Sequence, residues 1–226
     1  MASVFSFRFG TVFRAVISAL WLLALPVFCL ADTLPAAASE ARESPRILVM
    51  GDSISAGYGI QRDRGWVQLL AESLRQAEYP HQVVNGSISG ETTGGGLARL
   101  PQALDTHAPE VVVIELGGND GLRGYPTDRV RENLKQMVEL SLASNARVLL
   151  VGMQIPPNYG PRYSRAFSSM YETIAEETGV GLVPFFLEKV ALTPGLMQSD
   201  GIHPTAEAQP LLLETLWEHL EPLLGP

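Results

Sequence analysis

Four short polar segments, each containing glycine, carry the residue types that could perform acyl transfer. They occupy residues 51–55, 85–90, 115–121 and 200–203. The last one places Asp200 three residues before His203, so a single loop could present a carboxylate and an imidazole together. A serine hydroxyl is a weak nucleophile until a base takes its proton, and histidine suits that role near neutral pH. A carboxylate then orients the imidazole and stabilises its protonated form.

The same segments contain candidate donors for the oxyanion that forms during acyl transfer. These donors are the backbone N–H groups of Ser53 and Gly90 and the side-chain amide of Asn119. Each such donor lowers the barrier by roughly 3–4 kcal/mol. Taken singly, the segments read as ordinary turns, and Asp200 could merely cap a helix. Their occurrence together and in this order favours a catalytic site.

Asp200 and His203 could instead form half of a metal site. No second histidine or carboxylate cluster with ligand spacing accompanies them, so we expect no metal. Of the four histidines, His81 and His219 have polar surroundings that predict surface positions, and His107 closes a predicted helix. His203 is the one histidine with an aspartate at short spacing in a predicted loop.

The elements between these segments predict how they are positioned. Apolar runs at 47–50, 82–84, 111–114, 148–151 and 182–183 predict strands. Helical spacing predicts helices over 66–77, 97–106 and 166–178. It predicts another helix that Asp128 caps, and a last helix that begins at Pro204. This alternation predicts an α/β fold with a parallel sheet covered by helices on both faces. Ligands of such sheets lie outside the carboxyl ends of the strands, where the four segments stand.

Other motifs that would imply a different fold or ligand are absent from the sequence. No Gly-x-Ser-x-Gly pattern occurs, which argues against the α/β-hydrolase nucleophile turn. The glycines at 94–96 are not followed by the Lys-Ser/Thr of a phosphate-binding loop. Arg62 occupies the position of the third glycine in a dinucleotide-binding pattern that would start at Gly57.

The N-terminal region has the charge and hydropathy pattern of an export signal. Residues 1–31 contain two arginines, no acidic residue, and an uncharged apolar run over 15–31 that ends with small residues at Cys29 and Ala31. We therefore predict a signal peptide over 1–31 that is removed, a flexible lead-in over 32–45 and one catalytic domain over 46–226. A retained membrane anchor is the alternative, although the run is somewhat short of the roughly 20 residues that span a bilayer.

Composition limits the partners that this protein can have. The 226-residue chain contains 16 Lys+Arg and 24 Asp+Glu, so its formal net charge is −8. A chain this acidic is a poor ligand for nucleic acid or for an anionic membrane surface. Its one cysteine, Cys29, lies in the predicted signal peptide, so the mature chain would have neither a thiol nucleophile nor a disulfide.

In all four segments the chain resembles the SGNH hydrolases, also called GDSL-type esterases. Ser53 matches the nucleophile block, with Ile54 where the family name has leucine, and Gly90, Asn119 and His203 match the other three blocks. The stretches 83–90, 115–124, 154–160 and 200–204 resemble the bacterial periplasmic thioesterase and lysophospholipase subfamily in particular.

The resemblance implies a flavodoxin-like three-layer α/β/α sandwich with about five parallel strands. It implies Ser53 as nucleophile, His203 as base and Asp200 as the acid that orients it, with the oxyanion hole described above. It also implies a mobile loop over 120–125, with Gly121 and Gly124 as hinges. The substrate contacts that we expect from it are Asp120, Gly121, Leu122, Arg123, Ile155 and Pro156.

The sequence therefore predicts a periplasmic, monomeric serine hydrolase that needs no cofactor. We expect it to cleave aryl esters, acyl-thioesters and lysophospholipids through an acyl-enzyme. Two alternatives remain at this point: a carbohydrate O-deacetylase of the same family, and an acyl-binding module without turnover. Aromatic platforms in the pocket would favour the deacetylase, but Trp66 and Trp217 lie in predicted helices and offer no clear platform.

Overall fold

The computed structural model of the protein describes residues 44–225. The predicted signal peptide, most of the predicted lead-in and Pro226 lie outside the described residues. Within residues 44–225, no helix is both long enough and apolar enough to cross a membrane.

A five-stranded parallel sheet forms the centre of the described chain. Its strands are β1 (Arg46–Gly51), β2 (Gln82–Asn85), β3 (Val111–Glu115), β4 (Arg147–Val151) and β5 (Gly181–Val183). They are arranged in the order β2-β1-β3-β4-β5, and every neighbouring pair is parallel. This is the flavodoxin-like order, and it confirms the predicted fold. All five side chains of β3 are buried, because helices cover both faces of the sheet.

Six helices form the outer layers of the fold. They are α1 (Trp66–Gln76), α2 (Thr93–His107), α3 (Gly118–Leu122), α4 (Thr127–Ala143), α5 (Pro161–Thr178) and α6 (Gln209–Leu220). Helix α1 packs against α6, whereas α2, α4 and α5 pack side by side in that order. The two groups bury the apolar strands between them, and Trp66, Phe167, Tyr171 and Phe186 are among the largest fully buried side chains.

Several predicted helix boundaries shift in the structure. Helix α2 begins four residues earlier than predicted, because the Thr92 side chain accepts a hydrogen bond from the Gly95 N–H and caps it. Helix α5 begins with Pro161 rather than near residue 166, since proline suits the first turn of a helix. It ends at Gly179 in a left-handed conformation, as predicted.

Two predicted helix starts are wrong. Asp128 lies in the first turn of α4 and makes no capping bond, because Pro126 occupies the capping position. Pro204 does not begin the last helix. It forms an antiparallel bridge with Met197, which keeps it in an extended hairpin, and α6 starts only at Gln209 after a short turn over Ala206–Ala208.

The structure confirms the predicted position of His107 and contradicts that of His81. His107 closes α2 as predicted. His81 was expected at the surface but is buried, with 8% of the residue exposed. It lies just before the edge strand β2, with its Nε2 3.4 Å from a Glu110 carboxylate oxygen. Burial, followed by the charge of Arg147, lowers the pKa of His81, so the neutral form is favoured there.

Candidate active site

Two loops bring a serine, a histidine and an aspartate into one hydrogen-bonded row. Ser53 follows β1, and its Oγ lies 2.8 Å from His203 Nε2, although 150 residues separate the two in sequence. The other ring nitrogen, Nδ1, lies 2.7 Å from Asp200 Oδ2. Because an ionised carboxylate can only accept, the imidazole carries its hydrogen on Nδ1 and offers Nε2 to the Ser53 hydroxyl. This is the arrangement that turns a serine into a nucleophile.

The loop around Asp200 holds its carboxylate in the ionised state. Asp200 Oδ1 accepts hydrogen bonds from the backbone N–H groups of Ile202 and His203, at 2.9 and 3.0 Å. The bond from the His203 ring, followed by those two backbone bonds, lowers the pKa of Asp200 from 3.8 to about 2. The carboxylate is thus available to orient the imidazole and to stabilise its protonated form throughout the neutral range.

Two of the predicted oxyanion donors are residues that line the same cavity. Ser53 and Asn119 both face it, and the Asn119 Nδ2 donates one hydrogen to Asp52 Oδ2 at 3.0 Å. That bond fixes the orientation of the amide and leaves its second hydrogen for a substrate oxygen. Gly90 does not line the cavity. Its carbonyl oxygen accepts a bond of 3.1 Å from the Arg123 guanidinium, and its φ of +80° requires a residue without a side chain.

A pair of buried carboxyl groups lies next to the turn that carries Ser53. Asp52 follows β1, Glu115 is the last residue of β3, and the two strands are paired in register. Burial raises the pKa of Asp52 to about 6, although the hydrogen bonds from the Ile54 N–H and the Asn119 amide act to lower it. Burial and then the Asp52 charge raise the pKa of Glu115 well above its usual value, although its Oε2 accepts a bond from the Ser55 hydroxyl at 2.6 Å. Burial of the Glu115 carboxyl and the nearby charge of Asp52 thus favour its protonated form.

An open, largely apolar cavity begins at Ser53. Its volume is about 430 Å³, and Ser53, Asn119 and His203 form part of its wall. The rest of the wall is largely apolar and includes Ile54, Leu122, Met153, Ile155, Phe185 and Met197. Leu192 also lines it and is 96% exposed. A cavity of this shape and lining suits an aliphatic group whose carbonyl carbon reaches the serine.

The structure separates the six predicted substrate contacts into two groups. Leu122, Ile155 and Pro156 line the cavity. Asp120 does not, because it is 1% exposed and both of its oxygens accept hydrogen bonds from Thr93 at the start of α2. Arg123 bonds to Gly90 instead. The expectation for Asp120, Gly121 and Arg123 is therefore corrected, because none of the three lines the cavity.

The predicted hinge at Gly121 is also wrong. This glycine is buried within α3, where an added Cβ would lie 2.5 Å from Ile155 and 2.8 Å from Phe167. The absence of a side chain therefore serves close packing rather than rotation. Gly124, by contrast, has a φ of +68° and no atom within 4 Å of its Cβ position. The hydroxyls of Tyr159 and Tyr163 bond to backbone carbonyls on either side of it.

Some residues around the site were not foreseen from the sequence. Tyr58 places its ring 4.5 Å from the His203 ring, and it lies on the turn after Ser53. Glu115 could have been noticed as the one charged residue at the end of an otherwise apolar strand. Nothing in the sequence pattern distinguishes Tyr58 from the other tyrosines.

Comparison with known proteins places this geometry in a family. The model of the GDSL-like lipase/acylhydrolase family matches residues 49–210. The esterase TesA of Pseudomonas aeruginosa is 54% identical over 178 residues, covering 79% of this chain and 89% of that protein. The arylesterase of Vibrio mimicus is 48% identical over 193 residues, covering 85% and 93%.

A third relative extends the match to almost the whole chain. The thioesterase 1/protease 1/lysophospholipase L1 of Escherichia coli K12 is 42% identical over 218 residues, covering 96% of this chain and 98% of that protein. The crystal structure of TesA superposes with a TM-score of 0.77 at 53% identity, covering 79% of this chain and 99% of the other. A family model that spans most of the chain and three relatives above 40% identity show that the protein belongs to the GDSL-like lipase/acylhydrolase family, as a serine hydrolase of the SGNH type.

Proposed function

We propose that the protein hydrolyses carboxylic esters and thioesters through an acyl-enzyme on Ser53. The observation that carries this proposal is the row from Ser53 Oγ through the His203 ring to Asp200, which opens onto the apolar cavity. The names of the relatives, which include esterase, arylesterase, thioesterase and lysophospholipase, support the same chemistry.

The reaction follows from the roles of these groups. His203 Nε2 takes the Ser53 proton as Oγ attacks the substrate carbonyl, and Asp200 stabilises the imidazolium that forms. The oxyanion accepts hydrogen bonds from the Asn119 side chain and from the Ser53 backbone N–H, the two predicted donors whose residues line the cavity. The protonated imidazole then gives its proton to the departing alcohol or thiol. A water molecule, deprotonated by the same imidazole, attacks the acyl-enzyme and releases the acid.

We propose that the acyl chain occupies the apolar cavity and that the leaving group remains towards solvent. Each buried methylene contributes about 0.8 kcal/mol, so kcat/KM should rise about fourfold per CH₂ until the chain fills the cavity. Beyond Asp52, Ser53, Asn119, Gln154 and His203, the residues that line the cavity carry no polar side chain, so few contacts would select one leaving group. This suits aryl, thioester and lysophospholipid substrates alike.

The alternatives kept open by the sequence are less well supported. A carbohydrate deacetylase would need polar or aromatic platforms, whereas Trp66 is fully buried and Trp217 packs against Tyr79 away from the cavity. A binding module without turnover would have no need of the aligned serine, imidazole and carboxylate.

The test is hydrolysis of p-nitrophenyl esters from acetate to dodecanoate by the purified protein, beside Ser53→Ala and the control Ser169→Ala. Ser169 is an exposed serine on α5. We expect turnover that rises with chain length, disappears in Ser53→Ala and is unchanged in Ser169→Ala. A p-nitrophenyl alkylphosphonate should add one phosphonyl group to Ser53, detected by mass spectrometry. Full turnover in Ser53→Ala would refute the assignment of the nucleophile.

We also propose that the protein is exported to the periplasm by residues 1–31 and acts there as a monomer. The arginines, apolar run and small residues of that segment support export. Mass spectrometry of the protein recovered from its native cell should give a chain that begins at Asp32, and light scattering should give the mass of one chain. An intact N-terminus in the membrane fraction would favour a retained anchor instead.

A further inference from the structure

The hairpin that carries His203 is closed by Gln198. The backbone N–H of Gln198 donates to the carbonyl oxygen of His203 at 2.7 Å, and Met197 forms an antiparallel bridge with Pro204. The Gln198 carbonyl accepts from the Gly201 N–H at 2.9 Å, which tightens the turn between the two arms. The backbone of Gln198 is thus held directly opposite the catalytic imidazole.

The side chain of Gln198 joins this hairpin to the turn that carries the nucleophile. Its Nε2 donates to the carbonyl oxygen of Pro204 at 3.0 Å and to that of Tyr58 at 2.9 Å. A primary amide nitrogen has two hydrogens, so each of the two loops receives one. This single side chain therefore connects segments that are 140 residues apart.

The turn at Tyr58 is continuous with the nucleophile. The Tyr58 N–H donates to the carbonyl oxygen of Ser53 at 3.0 Å, and its ring lies 4.5 Å from the His203 ring. The next residue, Gly59, is shaped around the amide: a Cβ there would lie 2.4 Å from Gln198 Oε1, and its φ is +74°. The two loops therefore meet at Gln198 through several independent contacts.

We propose that Gln198 is a positioning residue, which sets the distance between Ser53 Oγ and His203 Nε2 by holding the two loops together. It does not line the cavity, so it has no contact with the acyl group. This inference rests on the proposed function and extends it to a residue that acts only through others. A displacement of about 1 Å between reacting groups costs about 100-fold in rate, so loss of the two bonds should lower kcat and leave KM nearly unchanged.

The experiment compares Gln198→Met and Gln198→Glu with the wild type in p-nitrophenyl butyrate hydrolysis. Methionine keeps the length of the side chain and removes both donors, whereas glutamate keeps its shape and turns an acceptor towards two carbonyl oxygens. The matched control is Gln136→Glu, because the Gln136 amide donates to Glu132 on the exposed face of α4. Active sites are counted by stoichiometric release of p-nitrophenol from a phosphonate, so that unfolded protein does not enter the rate.

We expect kcat per titrated site to fall about 10- to 100-fold in both variants, with KM within about threefold of the wild type and the rate of Ser53 phosphonylation reduced in parallel. The control should match the wild type. A merely structural role would lower the melting temperature and the number of titratable sites but leave kcat per site unchanged.

The outcomes separate this inference from the proposed function. A kcat per site within twofold of wild type in both variants, or a rise in KM alone, would overturn the positioning role while Ser53-dependent hydrolysis stands. If Gln198→Glu does not fold, Gln198→Met decides alone, since it introduces no charge. No Ser53-dependent turnover or labelling in the wild type would overturn both proposals.

Discussion

Replacement of Glu115 by glutamine should make the protein more stable at neutral pH. Glu115 is fully buried at the end of β3, and its Oε2 accepts from the Ser55 hydroxyl at 2.6 Å and from the Asp52 N–H at 3.3 Å. Its Oε1 has no hydrogen-bond partner among the described residues. Glutamine has the same shape, and its amide oxygen can accept both bonds. The perturbation therefore removes the titrating proton, and it also places the amide NH₂ at the Oε1 position, which has no partner among the described residues.

The magnitude follows from the difference in pKa between the folded and unfolded states. The unfolded carboxyl ionises near pH 4.5, whereas burial and the nearby Asp52 raise the pKa in the folded protein well above that value. The folded state therefore binds more protons above pH 4.5. The stability that the neutral carboxyl contributes is fully present below pH 4.5 and is lost as the pH rises, by about 1.4 kcal/mol per pH unit. The raised pKa of Asp52 likewise lowers the free energy of unfolding as the pH rises from 3.8 to about 6.

Glutamine does not titrate, so the variant escapes this loss. We expect the difference between the free energies of unfolding of the two proteins at pH 7.5 to favour Glu115→Gln more than the difference at pH 4.5 does, with a change of at most about 1.4 kcal/mol per pH unit. Urea unfolding followed by tryptophan fluorescence, repeated from pH 4.5 to 8, measures both values. The control is Glu139→Gln, which removes an exposed carboxylate from α4. A variant whose stability falls with rising pH as steeply as that of the wild type would mean that Glu115 does not titrate with a raised pKa in the folded protein and would refute the reasoning.

Three further substitutions test other parts of the site. Asn119→Ala removes a side-chain oxyanion donor, so steady-state kinetics should give a kcat lower by about 100- to 1000-fold with a similar KM; a smaller loss would place the oxyanion elsewhere. Asp200→Asn replaces the acceptor of the His203 Nδ1–H, and kcat should fall by about 10³- to 10⁴-fold without a comparable change in melting temperature. Gly59→Ala forces a Cβ into Gln198 Oε1 at a positive φ, so urea unfolding should show a loss of about 1–3 kcal/mol, whereas Gly160→Ala, whose Cβ meets no atom within 4 Å, should lose less.

Much of the fold could be predicted from local patterns. The apolar run at 111–114 is long, β-branched and bounded by polar residues, so β3 was found with its limits nearly right. The glycine at 179 ended α5 as predicted, because a left-handed cap is a local requirement. The start of α6 was missed because Pro204 suits both a first helical turn and an extended hairpin. The bridge to Met197, a tertiary contact, decided between them.

The sequence by itself determined the chemistry of the site, because residue types and the order of the polar segments do not depend on coordinates. Because Asp200 lies only three residues before His203, the two residues share one loop. Only the tertiary structure decided which distant groups meet. Parallel strands end at one edge of the sheet, so the register of β1 with β3 sets Glu115 behind Asp52, and the loop after β5 returns His203 to Ser53. Burial and contacts between residues 27 to 140 positions apart also decided the raised pKa of Glu115, the contact of Asp120 with Thr93 and the bridge made by Gln198, since each depends on neighbours that sequence spacing does not reveal.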